Sequence, residues 1–109
     1  MLIDEPQFRR VVSEALRTIA RQVDAIDSDA FDARIGDGVF TVDFDGGGTF
    51  VLSQQVPVRE LWLSAYSRAW HFRWDGEWTE RDSGQPLQAV LTEIFTRRLG
   101  SAVRFSLSG

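Results

Sequence analysis

The chain has 109 residues, 43% hydrophobic and 12% aromatic, enough to build one domain around a sizeable core. A formal charge of −4 and a pI near 4.9 argue against nucleic acid as a partner. Cysteine is absent, which excludes disulfides, persulfide carriage and thiolate ligation of an iron–sulfur cluster.

The opening Met-Leu-Ile-Asp-Glu-Pro is acidic and too short in apolar length for a signal peptide. No apolar run approaches a membrane span. The expectation is a soluble cytoplasmic protein with no membrane partner.

Asp4 is placed to cap a first helix, with Pro6 in its first turn and Gln7 at the capping-box position. Phe8, Val11, Val12, Ala15, Leu16, Ile19, Val23 and Ile26 recur at three and four, one apolar stripe of an amphipathic helix. The stripe ends near Ile26, where Asp-Ser-Asp favours a turn. Five or six short strands follow. Phe31, Ala33 and Ile35 alternate with Asp32 and Arg34, and Gly36-Asp37-Gly38 turns into a strand with Phe40, Val42 and Phe44 on one face. Asp45-Gly46-Gly47-Gly48 leads into Thr49–Gln54, Pro57 separates that strand from Glu60–Ala65, and further strands run near Trp70–Trp74 and Trp78. Pro86 opens a second helix with Leu87, Val90, Leu91, Ile94, Phe95 and Leu99 inward and Gly100 as its stop. Val103, Phe105 and Leu107 form an alternating tail.

Consecutive strands with short turns imply an antiparallel meander. Two helices with one apolar stripe each need the same cover. The predicted architecture is an α+β two-layer sandwich, a single domain over residues 1–109 with both helices on one sheet face. The other sheet face is left open.

Two places stand out as candidate sites. On Glu60–Ala65, Leu61 and Leu63 share one face, so Trp62 lies on the other with Glu60 and Ser64. Parity adds His71 and Arg73 to that outer face, and Gln55 stands at the adjacent strand end. An outward tryptophan needs cover from this chain, with Arg73 able to stack on it, or from a partner protein. Trp70, Trp74 and Trp78 read as core. His71 is the only histidine, which excludes a multi-histidine metal site; it reads as a surface residue near Trp62, with an auxiliary ligand role as the alternative.

The other place is acidic. From Asp24 to Asp45 seven aspartates face one arginine, a local charge of −6. Asp24, Asp27, Asp29 and Asp32 offer oxygen ligands for a hard cation held loosely with retained waters. The plainer reading of such a run is a solvated acidic face. No nucleophile–base pair is evident around Ser64, Ser67 or Ser83, and the glycine run leads into a strand, not a phosphate-binding helix.

The order Gly38-Val39-Phe40-Thr41-Val42, Gln55-x-Pro57, Leu61-Trp62-Leu63-Ser64, His71-Phe72, Asp75-Gly76-x-Trp78 and Asp82-Ser83-Gly84 resembles the bacterial branch of the frataxin family over nearly the whole chain. That resemblance implies a non-enzymatic role in iron–sulfur cluster biogenesis. It implies that the chain binds the cysteine desulfurase and the scaffold protein through Trp62 and its neighbours Gln55, Glu60, Ser64, His71 and Arg73. It also implies weak iron binding (Fe2+ or Fe3+) at Asp24, Asp27, Asp29 and Asp32, and a monomer. Ala20, Arg21, Ala25 and Arg34 stand where relatives carry more acids, so the ridge is thinned. The rival readings are an iron-storage or ferroxidase protein, and an interaction module of the same shape without metal binding.

Overall fold

The computed structural model describes residues 3–26 and 28–107. The Asp4 carboxylate accepts the Gln7 N–H at 2.9 Å and starts helix α1, Glu5–Asp24. Phe8, Val12, Ala15, Leu16, Ile19 and Val23 are its buried stripe. The helix stops at Asp24, short of Ile26, and Ala25 closes it.

Six strands then run as β1 Phe31–Gly36, β2 Val39–Phe44, β3 Thr49–Gln55, β4 Glu60–Ala65, β5 Arg68–Trp74 and β6 Trp78–Glu80. They pair antiparallel in sequence order, so β1 and β6 are the two edges of the sheet. Asp37 and Gly38 both take positive φ in the β1–β2 hairpin, the turn an Asp-Gly pair favours. A short 3-10 turn at Val56–Val58 carries Pro57 between β3 and β4. Helix α2 spans Leu87–Leu99, begins after Pro86 and ends on Gly100, whose φ of 73° suits a left-handed cap.

Both helices lie on one face of the sheet, as the stripes require. Phe40, Val42, Phe50, Leu52, Leu61, Leu63, Trp70 and Phe72 alternate inward from β2 to β5 and meet Phe8, Ile19, Leu91 and Phe95 in one core. Burying a side chain of this size stabilises by about 1.5–3 kcal/mol.

Two expectations need correction, and the tail takes a form of its own. Ala33 and Ile35 do not serve the core: five of the six β1 residues are exposed, and Ile35 is 47% exposed. An edge strand has cover only where a helix reaches it, and α1 does not screen this one fully. Trp74 is only partly buried, packed against Trp78 at 5.2 Å. The tail at Val103–Leu107 forms no strand. Side chains satisfy its backbone instead: Thr96, Thr92 and Gln22 accept the N–H groups of Val103, Phe105 and Ser106. Phe105 thereby seats on Phe95, with ring centroids 4.9 Å apart.

Candidate partner face and metal-ligating groups

Strand register places the outer-face residues in rows. Ser53 lies opposite Trp62, and Trp62 opposite His71; Gln55 lies opposite Glu60, and Glu60 opposite Arg73. The period-two reading thus assembles Gln55, Glu60, Trp62, Ser64, His71 and Arg73 on one surface, the face away from the helices. Leu61 and Leu63 are 0% and 1% exposed beneath it. Trp62 itself is partly buried. The His71 ring stands edge-on to it at 4.8 Å, so the partial cover that comes from this chain is given by histidine rather than by Arg73.

Arg73 is drawn elsewhere, to Glu60. This carboxylate is only 2% exposed, so Glu60 shares the face but does not present itself to a partner as the sequence suggested. It anchors its neighbours. The Trp62 indole N–H donates to it at 2.8 Å, Arg73 Nε at 3.1 Å, and Arg81 Nη1 at 3.2 and 3.3 Å. Burial pushes the Glu60 carboxyl up, but the bonds from Trp62 and Arg73 and the charge of Arg81 outweigh it and hold it below the usual carboxylate range. The indole is oriented by a buried charge, which limits its freedom on an open surface. Gln55 donates to Ser53 at 3.2 Å, and Ser64 is exposed.

A second buried carboxylate organises the end of the sheet. Glu80 is 6% exposed and accepts three backbone N–H groups, from His71 at 3.0 Å, Asp82 at 2.9 Å and Ser83 at 2.8 Å. Its side chain does the work of a strand carbonyl where the β5–β6 ladder ends, and it ties down the Asp82-Ser83-Gly84 turn. Burial pushes this carboxyl up too, but the three donors win and hold it at about 2, from an ordinary 4.5. The sequence reading missed Glu80, Arg81 and Asp82. One signal was available: Glu80 has the inward parity of Trp78, a position where an acid needs partners.

The acidic end is less organised than the sequence suggested. Asp24, Asp29 and Asp32 are all exposed, and Asp27 lies outside the described residues. Asp32 lies directly opposite Asp43 across β1 and β2. Arg34 answers that repulsion, bonding Asp43 at 2.5 Å, and Thr49 adds a bond at 2.9 Å. Both hold the Asp43 carboxyl below its ordinary value. Among the described residues, three potential metal ligands of separate side chains come within 4.8 Å of one another only at His71, Glu80 and Asp82.

A cleft of about 440 Å³ lies between α1, the β5–β6 turn and α2 and is lined by Glu14, Thr18, Trp74, Glu77, Trp78 and Gln88 among others. Among the described residues its lining includes no histidine, and no serine or threonine hydroxyl bonds to Glu14 or Glu77. Among the described residues, no helix is long and apolar enough to cross a membrane.

Two helices on one face of a six-stranded antiparallel sheet, with Trp62 on the other face, define a small two-layer α+β sandwich domain. Its family can be given. Residues 1–101 match the frataxin-like domain, and the chain belongs to that family. It is 35% identical over 105 residues to the iron-sulfur cluster assembly protein CyaY of Paraburkholderia phymatum, covering 95% of this chain and 99% of that one. The frataxin of Psychromonas ingrahamii superposes with a TM-score of 0.87 at 15% identity, covering 95% of this chain and 99% of that one, a likeness of fold. A trimeric frataxin from the yeast Saccharomyces cerevisiae, complexed with ferrous iron, superposes with a TM-score of 0.64 at 25% identity, covering 81% of this chain and 87% of that one.

Proposed function

We propose that this chain acts in iron–sulfur cluster biogenesis as a non-enzymatic partner of the cysteine desulfurase and its scaffold protein. The observation that carries the reading is Trp62. It lies on the sheet face left bare by the helices, oriented by the buried Glu60 carboxylate. Aromatics fixed in this way are frequent anchors of protein interfaces. Ser64 and Arg73 stand exposed beside it, and Gln55 and His71 are partly exposed. The absence of cysteine supports the same division of labour, since sulfur chemistry then belongs to the partner.

Iron enters as cargo. Asp24, Asp29 and Asp32, with Asp27 beside them in sequence, offer exposed oxygen donors, which suit a loosely held, largely hydrated cation. Their dispersal speaks against the organised carboxylate centre that a storage or ferroxidase protein needs. We read the protein as a cytoplasmic monomer; sedimentation with and without ferrous iron tests the monomer.

The deciding experiment is Trp62→Ala, measured for affinity to the desulfurase–scaffold complex and for thermal stability. Binding should weaken by about 2 kcal/mol. Stability should fall by about 1 kcal/mol, because Glu60 keeps both arginines after the indole is gone. Unchanged binding by a folded variant would remove this face from the interface.

A further inference from the structure

We propose that His71, Glu80 and Asp82 form a binding site for a borderline divalent transition ion of the zinc, cobalt or ferrous class, with water completing the shell. The site lies at the opposite edge of the sheet from the acidic end. Between β5 and β1 there are four strand spacings, about 19 Å. The proposal stands apart from desulfurase binding, and either can fail without the other.

The donor set is mixed, one imidazole and two carboxylates, all within 4.8 Å of one another. Imidazole nitrogen favours zinc, cobalt, nickel and iron over calcium and magnesium, and three protein ligands plus water is the usual form of an open site. Each ligand is supplied differently. Glu80 is fixed from below by its three backbone donors, and the fourth acceptor position faces the Ser83 hydroxyl, which is exposed and can turn to water to cede it. His71 is held edge-on by Trp62. Asp82 is 79% exposed and meets Arg81 Nε only at 3.7 Å, so it can swing inward at little cost. Donors around a first-row ion stand about 3–3.5 Å apart, given bonds near 2.1 Å. The closure needed is therefore small and falls on the most mobile ligand.

The local cations do not already fill the site. Arg73 and Arg81 direct their hydrogen bonds to Glu60, which takes the role of counterion for both. Asp82 keeps only its 3.7 Å contact with Arg81, and two carboxylates stand near a single imidazole. This chain has only one histidine, so a signal from an imidazole reports this position alone.

The test is titration of the folded protein with zinc alone, followed by calorimetry and by nitrogen and proton NMR. We expect one zinc per chain, with the largest shifts at the His71 ring and the amides of Asp82 and Ser83. His71→Ala and Asp82→Asn should each weaken binding roughly tenfold or more, while Asp37→Asn, in the exposed β1–β2 turn, leaves it unchanged. Calcium at equal concentration should leave the His71 ring unshifted. Asp82→Asn keeps a side chain of the same size at an exposed position, so it decides the matter if His71→Ala disturbs Trp62. Zinc shifts confined to Asp24–Asp32, or undiminished affinity in folded Asp82→Asn, would overturn the proposal.

Discussion

The two ends of the sheet handle negative charge in opposite ways. At the β4–β6 end, Glu60 and Glu80 are 2% and 6% exposed, and each accepts at least three hydrogen bonds. At the β1 end, Asp24, Asp29 and Asp32 stand in solvent, and β1 itself is exposed along five of six residues. The acidic end carries more charge per residue, yet the other end has the structure. Charge density in a sequence marks attraction at a distance; a fixed site needs donors that hold each oxygen in place.

The largest effect that would sharpen this contrast is Glu80→Ala. It leaves the His71, Asp82 and Ser83 amides without their acceptor. Two of these belong to an exposed turn and can turn to water, so the expected loss is on the order of 3 kcal/mol. Glu80→Gln should lose less, because its amide oxygen can still serve one side of the cluster. Chemical denaturation of both variants checks the order; equal losses would mean that the carboxylate's second oxygen contributes nothing.

Acid should break the same end first. A carboxyl held at about 2 in the folded chain and near 4.5 when unfolded adds stability that is fully present above 4.5. That contribution declines as pH falls from 4.5 toward 2. Glu60, also held low, acts in the same direction. The melting temperature should therefore drop across this window, and Glu80→Gln should flatten the drop. An identical acid profile in the variant would show that Glu80 is not the group responsible.

Glu60→Gln is the next smaller step. The arginines it releases are 62% and 35% exposed and can be rehydrated, so the cost should be about 1–2 kcal/mol. Its second consequence is at Trp62, whose indole N–H loses a charged acceptor. Fluorescence or ring NMR should report a less restrained indole, together with weaker partner binding. A stability loss with no change at Trp62 would separate the ion cluster from the anchor.

How much of this was legible beforehand follows from the range of the forces involved. Period-two alternation is local, so it put Trp62 outward and Leu61 and Leu63 inward, and the register then kept them there. Capping is local too, which is why Asp4, Pro86 and Gly100 marked helix ends. The burial of Glu60 was not legible, because its partner Arg81 is 21 residues away and comes close only when β4, β5 and the turn after β6 are assembled. Glu80 depends on the His71 amide in the same non-local way. The acidic run misled in the opposite sense: proximity along the chain did not become proximity of oxygens for Asp24, Asp29 and Asp32.

The smallest expected effect lies on the strand where alternation promised a core residue and the fold did not use it. Ile35 has the parity of Phe31 and Ala33, but it is 47% exposed beside the Asp37-Gly38 turn and lines a shallow cleft with Arg9 and Ser13 of α1. Threonine keeps the branch at Cβ, so strand propensity is retained and only half-wet apolar surface is lost. Ile35→Thr should shift stability by no more than about 0.5 kcal/mol. Leu61→Ala on β4, fully buried, should cost roughly 2–5 kcal/mol in the same assay. If Ile35→Thr instead costs as much as a core truncation, then α1 covers the β1 edge in solution. The contrast between a built end and an open end of the sheet would then lose its second half.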